Sequence, residues 1–324
     1  MYKPSQIIRI FLLSLVLCCS WNVAQGAYPD KPVKIIIGFP AGGPLDAHIR
    51  LLVDKLQSAL GQTVIVDYKA GAGGAVGAQF VAQSPADGYT VLLANTGTMV
   101  INPAIYTKSP YDTLKDFQPI ARTAQQPLAL IVNKDVQANT LKEFIAYAKA
   151  NPGKLNYGSA GNGGISHLVP EMLKSETGIF MVHIPFKGSA QTLQAVMGGH
   201  TMGMSDSTGW GQMVDAGKLR LLATYGSKRT TRWSTVPTLN DLGYDTVADS
   251  PYGVCGPKNM DPAVVKILHD AFKKTLTDPA VLAVFAQFDQ PVIEMNTEEY
   301  TKFARDNYQK EKVIIEKLGL AKQA

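Results

Sequence analysis

The sequence predicts an α/β protein in which two similar lobes face each other across a cleft. Short apolar segments rich in β-branched residues alternate with segments of helical periodicity over residues 33–95, and the alternation returns after residue 140. Such alternation is typical of parallel sheets covered by helices. Two extended stretches, Arg122 to Leu130 and Tyr225 to Cys255, connect the blocks and are expected to act as hinges. Lobe 1 is expected over residues 27–124, completed by residues 228–324, and lobe 2 over residues 125–227.

The first lobe begins with an apolar strand, VKIIIGF, which runs into the clearest helical pattern of the chain. That helix has one apolar stripe and is expected to end at Gly61. TVIVDYK and YTVLLAN are predicted as two further strands, with AVGAQFVAQS as the helix between them. The stripe of the first helix consists of Leu45, Ile49, Leu52, Leu56 and Leu60.

The second lobe is predicted from a second alternating block. Its helices are LKEFIAYAKAN, a segment from about Ser166, and AQTLQAVMGG, and its strands are LNYGSA, MVHIPFK and TMGMSDS. LRLLATYGSKR and YGVCGP are then predicted as extended. The chain is expected to end in two helices, from Pro262 and from Thr297, of which the last is rich in Lys and Glu and is expected to be a solvated surface helix.

The first 26 residues have the pattern of a secretory signal peptide. Lys3 and Arg9 precede the apolar run IFLLSLVLCC, and small residues predict cleavage after Gly26. A retained membrane anchor needs about 20 apolar residues, and the run is shorter. Lipidation at Cys18 or Cys19 is disfavoured by the residues before them. We therefore expect export to the periplasm.

The composition argues against several classes of function. Of three cysteines only Cys255 remains after signal removal, so no disulfide can form within the mature chain. The net charge of +5 includes Lys3 and Arg9, and the small, evenly spread excess does not favour nucleic acid. The five histidines lack metal-ligand spacing. Neither a metal nor a cofactor is expected.

Two glycine-rich loops are the candidate site. GFPAGGPLD and NYGSAGNGGISHL each lead from a predicted strand into a predicted helix, where exposed backbone N–H groups favour an anion. Asp46 lies in the first helical turn, and we interpret it mainly as a capping residue. In open α/β sheets ligands bind beyond the carboxyl ends of the strands, so both loops should border the cleft.

Three other interpretations of the glycine-rich segments are disfavoured. In GAGGAVGA the glycines at 71, 73 and 77 miss the dinucleotide spacing by one residue, and close packing of a helix against the sheet explains them better. No P-loop lysine follows a glycine cluster. Ser159, Ser166 and His167 suggest a hydrolase, but the chain has no G-x-S-x-G elbow.

With these loops in view, the sequence resembles the Bug or TctC-type periplasmic solute receptors of tripartite tricarboxylate transporters. The matching motifs include FPAGGPLDAHIR, PADGYTVLLANTGT, NPGKLNYGSAGNGGISHL and VHIPFKGSAQTLQAVMGGH, and together the matches run in order over essentially the whole mature chain. The resemblance implies a two-lobed type II periplasmic binding protein fold with two crossover strands. A small carboxylate would bind in the ligand cleft, partly through ordered waters, and no catalytic step is implied.

The resemblance also places the ligand-binding residues in five loops. Pro44 and Leu45 depart from it, because many similar proteins have Ser or Thr there. The expected ligand-binding residues are Phe39, Ala41, Gly42, Gly43, Leu45, Asp46, Thr96, Gly97, Thr98, Ser159, Ala160, Gly161, Asn162, Gly163, Ser166, Phe186, Lys187, Gly188 and Asp206.

The ligand is expected to have an apolar body, as in an aromatic or long-chain dicarboxylate. Leu45 adds an apolar wall, and Phe39, Phe186 and Trp210 lie in or beside candidate loops, although each of these aromatics is by itself a common core residue. The expected partners are inner-membrane permease subunits, and the receptor is expected to be a monomer. A ligand-presenting sensor for a membrane kinase and an exported enzyme on the same fold remain alternatives.

Overall fold

The computed structural model describes residues 28–106 and 108–320. The signal peptide expected over residues 1–26 lies outside these described residues. Within them, no helix combines the length and the apolar character needed to cross a membrane.

The described residues form ten strands and a set of covering helices. The strands are β1 (Val33–Ile37), β2 (Val64–Tyr68), β3 (Thr90–Ala94), β4 (Phe117–Gln126), β5 (Leu128–Asn133), β6 (Asn156–Ser159), β7 (Val182–Pro185), β8 (Gly203–Ser207), β9 (Leu219–Thr224) and β10 (Ser250–Pro257). The helices are α1 (Pro44–Leu60), α2 (Ala75–Ala82), α3 (Asn102–Ile105), α4 (Thr113–Asp116), α5 (Leu141–Ala150), α6 (Ile165–Thr177), α7 (Ser189–Met197), α8 (Gly211–Asp215), α9 (Pro262–Leu276), α10 (Pro279–Gln287) and α11 (Thr297–Lys317).

Two five-stranded mixed sheets confirm the α/β class and the two-lobed architecture. The first sheet has the order β2-β1-β3-β10-β4, in which β1 is parallel to both neighbours and β10 is antiparallel to both of its own. The second has the order β7-β6-β8-β5-β9, in which β6 is parallel to its neighbours and β5 is antiparallel to its own. The predicted strands therefore occur in both lobes.

The chain passes between the two sheets twice. On the first crossing β4 ends at Gln126 in one sheet and β5 begins at Leu128 in the other, so Pro127 alone separates the two strands. Proline has no N–H to donate to a ladder, which explains why the pairing changes there. The return runs from β9, which ends at Thr224, to β10, which begins at Ser250.

Helix α1 forms as its apolar stripe predicts. Ile49, Leu52 and Leu56 are fully buried beneath the first sheet's strands and helix α9. Gly61 ends the helix with a φ of 67°, and its N–H donates to the Gln57 carbonyl oxygen. A left-handed residue at this position is the common reason for a glycine after a helix.

The C-terminal region has one more helix than the sequence pattern predicted. Helix α10 begins at Pro279 after Asp278, whose side chain accepts from the Ala280 amide. The same Asp-Pro pair, Asp261 and Pro262, begins α9. A capping carboxylate followed by proline is a helix-start signal, so the missing helix was readable in the sequence.

The last helix is a solvated surface helix only in part, because its inner face is buried. Tyr300 of α11 is buried in the core of the first lobe, whereas Ile315 and Leu320 are buried in a cluster with residues of the second sheet. Lys and Glu on its outer face dominate the composition of the helix, so the composition does not reveal that the helix contacts both lobes. The chain's end therefore packs against both lobes.

Candidate functional site

A narrow cavity lies where the two lobes meet. It has a volume of about 40 Å³, room for a few water molecules. The segments after β1, β3, β6 and β7 supply most of its wall, and residues of β8 and β10 supply the rest. The lining residues are Phe39, Pro40, Gly43, Pro44, Leu45, Asp46, Asn95, Ala160, Gly164, Ile165, Ser166, Ser189, Asp206, Ser207, Ser250 and Tyr252.

The cavity is narrow because glycines allow the lobes to touch. A Cβ on Gly73 of the first lobe would collide with the carbonyl oxygen of Asn162 in the second. A Cβ on Gly188 would lie 3.0 Å from Cδ of Pro40, and one on Gly97 would lie 3.6 Å from Cα of Gly164. The two lobes are in direct contact at these points, so the structure is a closed form of the cleft.

Three helices begin at this cavity, and each is preceded by a glycine. Gly43, Gly164 and Gly188 precede α1, α6 and α7, and a glycine has no side chain with which to cap a helix. The first-turn N–H groups have no intrahelical partner and carry the positive end of the helix dipole. Four long helices elsewhere are instead capped by side chains, those of Thr140, Asp261, Asp278 and Asn296. Uncapped helix starts from both lobes therefore converge on one small space.

Asp46 holds the first loop in place. Its Oδ2 accepts from the Gly42 amide at 2.8 Å, and its Oδ1 accepts from Arg50 Nε at 2.7 Å and from the Tyr68 hydroxyl at 2.5 Å. Burial opposes ionisation, but the bonds from Tyr68 and Gly42 and the charge of Arg50 lower the pKa of Asp46. Both carboxylate oxygens are engaged, as expected of a residue that shapes a loop.

Histidines support the glycine-rich loop of the second lobe. His183 Nε2 lies 2.6 Å from the Ser159 hydroxyl, and its ring stacks on that of His167 with centroids 4.1 Å apart. The Ser166 hydroxyl accepts from the Ala160 amide at 2.9 Å. Burial, with the neighbouring His167, lowers the pKa of His183 to about 4. The His183 ring that supports the loop is therefore uncharged at neutral pH. The contact between Ser159 and His183 therefore stabilises the conformation of the loop.

Asn95 and Thr98 close the loop after β3. Asn95 Oδ1 accepts from the Thr98 amide at 3.0 Å, and the Thr98 hydroxyl donates to the Asn95 carbonyl oxygen at 3.1 Å. Thr98 is fully buried behind the cavity wall, while Asn95 lines it. The hydroxyl expected to face the ligand is therefore already engaged with the backbone.

Asp206 differs from Asp46 in its surroundings. It is the penultimate residue of β8, lies in the cavity wall and is 5% exposed. Its Oδ1 accepts from the Ser207 amide at 2.8 Å, and Oδ2 is buried, with the Ser189 side chain close to the carboxylate. Burial raises the pKa of Asp206 to about 6, although nearby Ser189 and Ser207 oppose the rise.

The structure brings part of the predicted residue set together. Seven line the cavity, namely Phe39, Gly43, Leu45, Asp46, Ala160, Ser166 and Asp206. The others lie behind or beside the wall: Ala41, Gly42, Thr96, Gly97, Thr98, Ser159, Gly161, Asn162, Gly163, Phe186, Lys187 and Gly188. Of these, four are exposed to solvent, namely Ala41, Gly42, Asn162 and Lys187.

Several wall residues were not in the predicted set. Gly164 and Ile165 lie within the predicted loop NYGSAGNGGISHL, and Ser189 follows the predicted Gly188, but none of the three was singled out as a ligand-binding residue. Ser250 and Tyr252 come from β10, which the topology inserts between β3 and β4. No local pattern marks these last two.

Trp210 belongs to the core and not to the cleft. It is 1% exposed, lies with its rings 4.8 Å from those of Trp233, and donates from Nε1 to the Asp206 carbonyl oxygen at 3.1 Å. Phe186 faces Gly158 and likewise does not line the cavity. Of the three aromatics considered for an apolar wall, Phe39 alone contributes to it.

A larger cavity, of about 770 Å³, lies behind the crossing strands. Its wall includes Arg122, Lys228 and Arg229 together with Asp249 and Asp289, so charges of both signs face it. No helix of eight residues or more begins there, since Leu282 and Phe285 contribute from the middle of α10. We assign function to the smaller cavity because the uncapped helix starts of both lobes converge on it. Among the described residues no group of three or more His, Cys, Asp or Glu could hold a metal ion.

Fold and site together define a two-lobed solute-binding protein whose cleft offers uncharged donors to an anion. Comparison with known sequences agrees: the profile of the tripartite tricarboxylate transporter family receptor matches residues 48–320. The chain belongs to this receptor family, whose members are binding proteins and not enzymes.

Individual relatives resemble the chain over nearly its whole length. A Cupriavidus necator protein described as the UPF0065 protein in the gbd 5′ region is 44% identical over 295 residues, covering 91% of this chain and 90% of its own. The periplasmic binding protein BugD has a structure with a TM-score of 0.88 and 31% identity, covering 91% of this chain and 100% of its own. The structure of R. palustris Rpa4515 with adipate gives a TM-score of 0.87 and 26% identity, covering 91% and 99%.

Proposed function

We propose that this protein is a periplasmic receptor that captures a small organic carboxylate and delivers it to inner-membrane permease subunits of a tripartite tricarboxylate transporter. The observation that carries the proposal is the convergence of three glycine-preceded helix starts, from both lobes, on a cavity whose wall contains no Lys or Arg among the described residues. Backbone N–H groups and helix dipoles suffice to bind a carboxylate.

The body of the ligand is an aromatic ring or a longer aliphatic chain. Phe39, Leu45 and Ile165 form an apolar side of the cavity, next to the helix starts that would take the carboxylate. Apolar contact of this kind favours methylene or ring carbon over further polar groups. Binding of adipate by the R. palustris relative supports a six-carbon diacid as a first probe.

Ligand capture is coupled to closure of the two lobes. In this proposal lobe 1 consists of residues 27–124 and 228–324, and lobe 2 consists of residues 125–227. The crossings at Pro127 and between Thr224 and Ser250 act as the hinges. The cavity of the closed form is too narrow for free entry, so the lobes must separate to admit a ligand. The closed, monomeric receptor then presents its outer surface to the permease.

A thermal-shift screen over mono- and dicarboxylates tests the receptor step. A ligand at 100 times its dissociation constant should add about 2.7 kcal/mol to the free energy of unfolding. Six-carbon and aromatic diacids should raise Tm more than four-carbon diacids, although all of them carry the same two carboxylate groups. If no acid raises Tm at millimolar concentration, the receptor proposal fails.

Uptake by cells tests the delivery step. Deletion of the chain's gene should abolish uptake of the labelled acid that the screen identifies, and re-expression should restore it. Loss of a transcriptional response with unchanged uptake would show that the protein presents its ligand to a sensor and does not feed a permease.

A further inference from the structure

The larger cavity behind the crossing strands has the size of a ligand site, and the proposed receptor function does not use it. Its volume is about 770 Å³, and small-molecule pockets usually have about 300–1,000 Å³. The first crossing supplies Gln125 and Pro127 to its wall, the return crossing supplies residues 226–231 and Asp249, and helix α10 supplies much of the rest. A molecule bound there would contact both connections between the lobes.

Arg122 brings a buried positive charge to this wall. It is 5% exposed. Its Nη2 donates to Gln125 Oε1, its Nη1 lies 3.8 Å from the Met295 sulfur, and its guanidinium stands 4.1 Å from the centre of the Phe303 ring. Unlike three other arginines of the described chain, it has no carboxylate within 4.0 Å. A buried charge whose close partners are all neutral is costly, so an anion in the cavity would be stabilised.

The segment 226–231, of sequence GSKRTT, adds further donors to the wall. Lys228 is exposed, and its ammonium group has no carboxylate within 4.0 Å among the described residues. Arg229 is already engaged, because its Nε donates to Asp241 at 2.6 Å. The segment also contributes the hydroxyl groups of Ser227, Thr230 and Thr231. Ammonium and hydroxyl groups are suitable donors to an anionic oxygen.

The acidic residues of the wall leave the positive charge in excess. Asp289 accepts from a backbone amide at 3.3 Å. Burial lowers the pKa of Arg122, against the charges of Tyr300 and Asp249, so Asp249 lies near enough to offset one cation. Arg122 and Lys228 are two cations that no carboxylate pairs within 4.0 Å, and Asp249 is one acid. The balance favours a ligand with a single negative charge.

The rest of the wall favours a ligand with an apolar body. Leu282 of α10 is 43% exposed, and Pro127, Val292 and Ile293 contribute to the same wall. Apolar side chains in a concave wall, beside a few charged groups, are the usual composition of a pocket for an organic molecule. The anionic end and the apolar body would therefore each meet a matching part of the wall.

We propose that this cavity is a second binding site, separate from the cleft, for a singly charged organic anion with an apolar or aromatic body. Arg122 and Lys228 attract the anionic group, and Leu282 covers the body. The proposal does not depend on the receptor function, because binding here is measured in a variant whose cleft is blocked.

The probe is naphthalene-2-carboxylate, and naphthalene-2-carboxamide is its uncharged counterpart. Both are titrated by calorimetry at pH 7.5 into the mature chain carrying Gly43→Val, in which the methyl groups of the valine fill the cleft. The carboxylate should bind at one site, at least about tenfold tighter than the carboxamide, because only the carboxylate gains from the two unpaired cations.

Two glutamate variants on helix α10 locate the site. Leu282→Glu places a negative charge in the wall at an exposed position, and it should weaken binding of the carboxylate by about tenfold or more. Ala283→Glu is the matched control, because it adds the same charge at the next exposed residue, outside the wall. It should change the affinity by less than about twofold.

Lys228→Gln tests the charge without disturbing the core. The exposed Lys228 is preferred to Arg122, since truncation of Arg122 would also remove its packing on Phe303. Lys228→Gln should weaken the carboxylate by about threefold to tenfold and leave the carboxamide unchanged.

Three results would overturn the second site. They are equal affinity for carboxylate and carboxamide, equal losses in Leu282→Glu and Ala283→Glu, and no binding of naphthalene-2-carboxylate at millimolar concentration. None of them bears on the cleft, where the receptor function is tested by other acids in the chain without Gly43→Val. The two proposals therefore fail separately.

Discussion

Gly73 of the first lobe lies against Asn162 of the second so closely that a Cβ at residue 73 would overlap the Asn162 carbonyl oxygen. Asn102 supports the contact, because its Nδ2 donates to the Gly73 carbonyl oxygen at 2.9 Å. The closed cleft thus depends on a position that has no side chain. The glycine run around residue 73 has this function in addition to packing helix α2 against β1.

We expect Gly73→Ala to impair closure. The side chain would hold the lobes apart, so the acid found in the thermal-shift screen should bind about tenfold more weakly as the closed population falls. Small-angle scattering at saturating ligand should give a larger radius of gyration than the wild type.

Gly61→Ala is the control for backbone strain. Gly61 has a φ of 67°, close to the 60° of Gly73, but no atom lies within 4 Å of its Cβ position. Both variants should lose about 1 kcal/mol of stability from the left-handed backbone. Equal ligand affinity in the two variants would show that the Gly73 contact has no part in closure.

A second prediction concerns the first helix start. Gly43 has a φ of −88°, and the nearest atoms to its Cβ position are 3.8 Å and 3.9 Å away, so Gly43→Val fits the apo fold. Its methyl groups would enter the cavity and cover first-turn N–H groups, and binding of the acid should fall below detection by calorimetry. Ala47→Val, on the exposed face of the same helix, should bind normally.

Gly161→Val is not a suitable companion variant in the second loop. Gly161 has a φ of 122°, so a valine there would strain the loop as well as fill the cleft. Gly164→Val avoids this, since Gly164 has a φ of −99° and its nearest neighbours lie 3.7 Å and 3.9 Å from the Cβ position. Normal binding by both Gly43→Val and Gly164→Val would exclude the helix starts as the carboxylate site.

The sequence predicted those features of the fold that depend on local pattern. The stripe of Ile49, Leu52 and Leu56 is buried as its spacing indicates, and the strands of both sheets follow their apolar runs. It could not predict contacts made by distant segments. Tyr252 reaches the cavity because β10 returns to the first sheet, and Gly73 meets Asn162 because the lobes close.

A third prediction concerns His48, which is buried between the rings of Tyr252 and Phe285. Burial lowers its pKa to about 4, against an opposing hydrogen bond with Gln290. The unfolded chain binds this proton near pH 6.5, so the neutral histidine's contribution is present above pH 6.5 and is lost as the pH falls through 4. Denaturant titrations should show up to about 3 kcal/mol less stability at pH 4 from this group.

The matched variant for that measurement is His269→Gln. His48→Gln should flatten the fall in stability between pH 6.5 and 4, whatever it does to stability at neutral pH. His269, which is partly buried beside Asp270, is substituted in the same way for comparison. An identical slope in wild type and His48→Gln would mean that His48 does not titrate in this range.

The last prediction concerns the stability of the unliganded protein and uses Asp206. Because burial raises its pKa from 3.8 to about 6, its favourable contribution is complete below pH 3.8 and is lost as the pH rises through 6. Asp206→Asn removes that loss, so the variant should gain up to about 3 kcal/mol over the wild type between pH 4 and pH 8. Thermal melts at both pH values measure the gain. A pH-independent difference would mean that burial does not raise the pKa of Asp206 in the folded protein.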